Sequence, residues 1–358
     1  MSTTIGQYGN FGSSLILSAG IDAMTQEQQT ISWETSTDTL SETYAGLGQA
    51  RSAAISLAPQ ITQVAAWQTN VTNAQNSLSV QADALTQIVS LAQSLSTSLI
   101  GVTGTTTDSA VTATAGEATT ALSELATVLN TSDGSGYVFA GKDSTEPPIE
   151  DTASVTSGTL ATQIASIVSS LGSSDASTVI EQATTAAADN TAGTSVFSSQ
   201  LSVSGDAATA LQKSVVTGSN TSTEVGIVAT QGTAASLTST GSPIRDLMRD
   251  MMIVSGTSGM SSTTSGYSDL VSQVYSSLQT TISQLTDMES SVGTTQDNLT
   301  ANATLLTSMN TALTGQLGDA RDADLAAVAV QSSSLDTSLK ASYMLVSDMK
   351  SLTLANYI

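Results

Sequence analysis

The sequence predicts a mainly α-helical protein. Its N- and C-terminal regions should form a long, antiparallel, coiled-coil-like helical bundle, with a central β-containing domain inserted between the halves. Two heptad ladders of equal length, far apart in the chain, carry the prediction. A shorter helical pattern lies outside each ladder. The centre changes character, to short apolar runs bounded by Gly, Ser, Asn and Thr.

The order of elements begins with Leu17, Ile21, Met24 and Ile31, which follow the 4-3 spacing of a helix face. Residues 1–43 are read as an N-terminal assembly helix. Tyr44-Ala45-Gly46-Leu47-Gly48 and Pro59 interrupt the next stretch, as Gly and Pro do between helices. The first ladder is Leu57, Val64, Val71, Leu78, Leu85, Ala92 and Leu99, with Trp67, Ala74, Gln81, Ile88 and Leu95 as companions. A seven-residue apolar repeat sustained this long marks a helix that buries one stripe against a partner. Residues 44–150 are the first half of the helical core. It includes a helix from Ala110 to Leu129 and, after a Gly-rich turn, the strand Tyr137-Val138-Phe139-Ala140-Gly141.

Residues 151–242 read as an outer, β-rich insertion. A short helix is expected around Ile164, Ile167, Val168 and Leu171, then strands at 195–197, 201–203, 214–216 and 225–228. The hydroxyl-rich stretches of this segment fit a solvated exterior that contributes little to assembly. Residues 243–316 form the second half of the core, opened by Pro243 at a first-turn position. The second ladder is Val271, Leu278, Leu285, Val292, Leu299, Leu306 and Leu313. The two ladders have the same span and are expected to lie side by side, with Val64 near Leu306 and Leu95 near Val274. Two unrelated helices of one bundle are the alternative. Gly315 and Gly318 separate residues 317–358, a C-terminal assembly helix with Leu325, Val328, Leu335, Leu339, Val346 and Met349 on one face.

Composition narrows the function. The chain has no His and no Cys. It therefore lacks the commonest general base, the commonest metal ligand, a thiolate and any disulfide. Eight basic residues face 30 acidic ones, a net charge of −22 that argues against nucleic acid as a partner. No run of 18 apolar residues announces a membrane insertion. The first positive side chain is Arg51, so a cleavable secretory signal is not expected, while the Cys-free, hydroxyl-rich composition fits a surface-exposed protein. Export without a cleaved signal reconciles the two.

No catalytic constellation emerges, and no cofactor or metal is expected. Lys340 beside Ser334 and Ser338 is read as an exposed Lys on an amphipathic helix rather than a dyad. Asp319, Asp322 and Asp324 have no calcium-loop pattern around them and fit acids at the N-terminus of the last helix.

The last segment, Leu339-Lys340-Ala341-Ser342-Tyr343 through Leu352-Thr353-Leu354-Ala355-Asn356-Tyr357-Ile358, resembles the C-terminus of the flagellin-like hook-associated proteins. Tyr137-Val138-Phe139-Ala140-Gly141 is similar to their hairpin motif, and Tyr44 to Leu57 to the segment joining their first two helices. The resemblance covers both terminal thirds and that hairpin, not residues 150–242. Within the group, the Asn356-Tyr357-Ile358 ending is closer to the hook–filament junction proteins than to filament flagellins. The region 36–42 departs from the pattern, being acidic where the group is basic.

The resemblance implies a structural subunit of the bacterial flagellum, not an enzyme. It implies terminal segments that become helical in the polymer, and assembly through the helices already named. Its partners would be itself and neighbouring axial proteins, with an export chaperone on the way out. The location it implies is extracellular, reached unfolded through the flagellar type III apparatus. Filament flagellin is the first alternative reading; an S-layer subunit or adhesin, rich in Ser and Thr, is a more remote one.

Overall fold

The computed structural model describes residues 5–102 and 107–351, with side chains described from residue 15 to 348. The described residues are mainly helical with one small sheet. The elements are α1 (Ile5–Thr37), a 3-10 turn (Tyr44–Ala50), α2 (Arg51–Val102), α3 (Asp108–Leu129), α4 (Ser154–Ser157), α5 (Thr159–Ser169), α6 (Ala176–Ala187) and α7 (Gly205–Thr209). They continue with β1 (Lys213–Val216), β2 (Ser222–Val225), α8 (Pro243–Gly256), α9 (Tyr267–Arg321) and α10 (Leu325–Ser351). Two compact units result. The terminal unit holds residues 1–66 and 306–358, and the central unit holds 67–305.

In the terminal unit, α1 packs on α10. Ile31, Ala323, Val328, Leu335 and Leu339 form their buried seam, with Met24 against it. Main-chain bonds tie the joints together: Leu40 N–H donates to Arg321 O at 2.8 Å and Ala323 N–H to Asp38 O at 3.1 Å. Asp38 sits at φ 57, a left-handed conformation that short acidic side chains tolerate. Asp324 caps α10, its Oδ1 accepting from the Ala326 and Ala327 N–H groups at 3.0 and 3.3 Å. The acid expected at this helix start serves that purpose.

Two expected interruptions are absent. Pro59 lies inside α2. The carbonyl it leaves without a helical donor belongs to Ile55, an exposed residue, so water can serve it. Gly315 and Gly318 lie inside α9; a helical glycine costs only about 1 kcal/mol. The break falls instead at Asp322–Asp324, where Thr39 and Asp322 form a bridge.

In the central unit, α2 and α9 run in opposite directions, joined by side chains. Gln75 Nε2 donates to Thr300 Oγ1 at 3.0 Å, Thr86 Oγ1 to Glu289 Oε1 at 2.7 Å, and Gln279 Nε2 to Ser96 Oγ at 2.7 Å. Each step up α2 matches an equal step down α9. The opposed direction agrees with the sequence reading, but the register does not. Ser96 meets Gln279, whereas the equal spans of the ladders place Leu95 by Val274. A heptad ladder repeats every seven residues, so it fixes which face is buried and leaves sliding open. The polar bonds select the register.

The insertion is helical rather than β-rich. Residues 151–242 carry α4 to α7 and one antiparallel hairpin, with Lys213 opposite Val225 and Val216 opposite Ser222. Of the four expected strands, 214–216 forms; 225–228 does not, since β2 ends at Val225 and residues 226–228 leave the ladder. At 195–197 there is a single bridge, Ile149 with Phe197, and Ser202 Oγ bonds back to Phe197 O at 3.0 Å. Val196, Phe197 and Leu201 are buried as loop residues whose polar groups are met locally. The stretch at 137–141 likewise makes a single bridge, Tyr137 with Ser132, and then turns; in the turn before it, Asp133 Oδ1 gathers the N–H groups of Ser135 and Gly136 at 2.8 and 3.0 Å. Nor is the insertion set apart from the core, since α5 and α6 pack on α8.

α8 is the centre of this unit. Every residue from Pro243 to Val254 is buried, against α3, α5 and α6. A helix buried all round is normally apolar all round. This one carries Arg245, Asp246, Arg249 and Asp250.

One 18-residue window within Tyr44–Val102 reaches a mean hydropathy of 1.2, enough by length and composition to cross a membrane. Along α2 the ladder from Leu57 to Leu99 is buried, while Ile55 and Ile100 are exposed at 48% and 55%.

Candidate functional site: an assembly surface on the terminal helices

The seam between α1 and α10 is thin. Leu17, Ile21 and Met24 are half-buried and Ile31 is buried. On α10, Val328, Leu335 and Leu339 are buried, Val346 is half-buried and Leu325 is exposed. The Met349 side chain and the Asn356-Tyr357-Ile358 ending lie outside the described residues. Most of the stripe read as an assembly interface is therefore used, at least in part, within the chain, between its own terminal helices.

The larger apolar surface is elsewhere on the same helices. Leu15 and Ile16 on α1 are 72% and 75% exposed; Val330 on α10 is 72% exposed. Tyr343, Met344 and Leu345 are exposed beside one another in sequence. Trp33 also lies open on α1. Scattered exposed apolar residues are ordinary, but a helix that carries them on several faces has more apolar surface than one partner can cover. α10 also has two acidic and two basic residues, a balanced charge in a chain of net −22. The Lys340–Asp336 pair is part of that balance. Like-charge repulsion between copies is weakest where the charge is balanced.

The sequence held a signal for these residues. Leu15-Ile16-Leu17 and Met344-Leu345-Val346 are consecutive apolar triplets. Neighbouring positions on a helix point about 100° apart, so one stripe cannot bury all three. A heptad reading keeps one member of each triplet and discards the others.

The core ladders are buried as read. Leu57, Val64, Val71, Leu78, Leu85 and Leu99 are buried on α2, and Val271, Leu278, Leu285, Val292, Leu299 and Leu306 on α9; Leu313 is half-buried. Gln81, read as a polar member of the ladder, has a larger role. It is 1% exposed. Its Nε2 donates to Val138 O at 2.7 Å and Ile227 O at 2.8 Å, and its Oε1 accepts from Ile227 N–H at 2.8 Å. One side chain thus pins two loops to α2 and satisfies backbone groups that burial would otherwise leave unpaired.

The ionic cluster on α8 has the burial and the shifted groups that mark many functional sites, and its geometry is structural. Arg249 is sheathed by protein: Nε and Nη2 donate to Asp250 Oδ1 at 3.0 and 2.8 Å, Nη1 to Thr184 Oγ1 at 2.9 Å and Thr238 O at 2.8 Å, and Nη2 to Ser277 Oγ at 2.6 Å. Arg245 lies 5.1 Å from the centre of the Phe197 ring and donates to Asn190 Oδ1, Leu201 O and Val203 O. Burial lowers the Arg245 pKa to about 10, with Asp246 opposing, so it stays charged at neutral pH. Asp246 is spent on Thr240 N–H at 2.7 Å and on the Ser239 hydroxyl. None of the four residues is more than 4% exposed.

Asp250 is the strained member. Oδ1 takes both Arg249 donors, while Oδ2 is buried without a partner. Burial pushes its pKa from 3.8 up to about 6, against the pull of Arg249. A carboxyl whose folded value is raised adds stability that is complete below its unfolded value and lost as pH rises through the folded one. The central unit should therefore resist urea better at pH 5 than at pH 7.5. Asp250→Asn should flatten that difference. Equal slopes for the two proteins across this range would show that Asp250 is not the titrating group. The exposed carboxylates lowered by local hydrogen bonds, such as Asp143 held by the Thr145 hydroxyl and Gln200, shift away from this window.

No family model matches the chain, and no curated protein matches it.

Proposed function

We propose that this chain is a structural, non-enzymatic subunit of the bacterial flagellum that self-assembles through its terminal helices, most closely at the junction of hook and filament. The observation that carries the reading is the excess of exposed apolar side chains on α1 and α10, beyond the seam the two helices share. Further copies, or neighbouring axial proteins, cover that surface. The bundle then extends as an antiparallel coiled-coil-like assembly, supported by the long heptad ladders of α2 and α9. In this reading the protein is exported unfolded, with a chaperone as its partner before export. The resemblance of the hairpin and of residues 339–358 to the hook-associated group supplies the flagellar setting.

Electron microscopy of the purified protein, with and without seeds of axial structure, tests this. Addition to hook ends without free growth supports the junction reading. Long free filaments support filament flagellin. A protein that stays monomeric under assembly conditions and fails to add to hook ends would overturn both.

A further inference from the structure

A groove of about 550 Å³ lies in the central unit, between α2, the loop 133–141 and the β1–β2 hairpin. We propose that it binds a neutral linear oligosaccharide, laid along α2. The site uses none of the terminal helices, so it stands apart from the assembly reading.

The wall formed by α2 carries Asn70, Asn73 and Asn76. These are three of the chain's 11 asparagines, set at successive three-residue steps on one helix. Asn70 Nδ2 reaches across to Val216 O at 3.2 Å and closes one end. Among the described residues, the Asn73 and Asn76 amides have no partner within the chain. A free side-chain amide presents a donor and an acceptor in one plane, the pattern that neighbouring sugar hydroxyls complement.

The opposite wall is backbone. Thr217 N–H donates to Thr221 O at 3.0 Å within the hairpin. The alternation of an antiparallel ladder then turns the polar groups of Ser214 and Val216 away from β2. The Asn70 bond to Val216 O agrees with that direction. Tyr137 and Val215 add apolar lining, suited to the C–H face of a sugar ring.

Charge and spacing select the class of ligand. Asp133 and Lys213 are the charged residues of the lining, one of each sign, so an ionic ligand gains nothing net. Three residues along a helix advance about 4.5 Å, close to the length of one pyranose ring. The open edge of β1 also has the form of a strand-addition site. A peptide strand, however, repeats same-face residues every ~6.6 Å, and falls out of step with the asparagines after one residue. The volume suits two or three rings, since small-molecule pockets run from about 300 to 1,000 Å³.

Titration calorimetry of the full chain against neutral trisaccharides decides it, with α-glucan, β-glucan, mannan, galactan and N-acetylglucosamine members in the panel. The expected result is saturable binding of at least one, in the roughly millimolar range or tighter. The double variant N73A/N76A should weaken that binding at least tenfold with Tm unchanged, because both positions are exposed on a helix. Three results would overturn the proposal: no trisaccharide saturating at about 10 mM, full binding by the double variant, or saturation by extended peptides alone.

Discussion

Replacing Arg249 with alanine is expected to cost the central unit about 3–5 kcal/mol, the range measured when one partner of a buried ion pair is removed. Arg249 lies between Asp246 at 3.3 Å and Asp250 at 2.8 Å, with all three side chains nearly or fully buried. The substitution leaves Asp250 without its cation and Asp246 with Arg245 as its remaining positive neighbour. It also removes the Arg249 bonds to the Thr184 hydroxyl on α6 and the Ser277 hydroxyl on α9; Thr184 keeps its bond to Ile180 O, and Arg245 its contact with Ala187 O. For a unit of this size each kcal/mol moves Tm by roughly 2–4 °C, so a fall on the order of 10 °C should appear by calorimetry. The double change Arg249→Met with Asp250→Asn should cost less than Arg249→Ala alone. The second change removes the charge that the first would orphan, which makes the pair non-additive. If the double variant were as unstable as the sum of its parts, Asp250 would not be the group that suffers.

α8 also shows where the sequence was readable and where it was not. The ladders on α2 and α9 were legible because a seven-residue period survives any tertiary context that buries one stripe. The register was not, because it depends on Gln75, Thr86 and Ser96 finding Thr300, Glu289 and Gln279. Such pairs carry no periodic signal. The burial of α8 was missed for a different reason. Arg245, Asp246, Arg249 and Asp250 look like the solvated face of a surface helix. The clue lay in rarity: the chain has four arginines, and two of them stand four residues apart, each followed by an Asp, in a segment that is otherwise apolar. In a protein that avoids positive charge, such a pair more naturally serves an internal acceptor set than water. The β-rich reading of 151–242 failed because short apolar triplets between serines fit an isolated strand and a core-facing loop equally well. Val225 found a ladder partner; Val196 and Phe197 found core contacts instead.

The assembly surface was half legible, and its unread half gives the second large effect. Substitutions at Leu335 or Leu339 confound two outcomes, because both side chains support the α1–α10 seam as well as any interface. Val330 and Met344 separate them. They are 72% and 67% exposed, and neither belongs to the buried seam. Surface changes away from packing features shift stability by about 0.5 kcal/mol or less, so Val330→Asp and Met344→Asp should leave the monomer's Tm and helicity unchanged. In an assembled array the same side chains would be desolvated. Placing a carboxylate there without a partner costs on the order of several kcal/mol per subunit, and repeated copies each incur it. Both variants are therefore expected to lose addition to hook ends or self-association by at least a hundredfold, read by sedimentation and by microscopy. Leu237→Asp is the control, since Leu237 is equally exposed at 73% but lies in the central unit. Val330→Asp and Met344→Asp proteins that assemble like the parent would remove the terminal helices from the interface. Equal loss in all three variants would show that exposure alone, rather than position on α10, governs association.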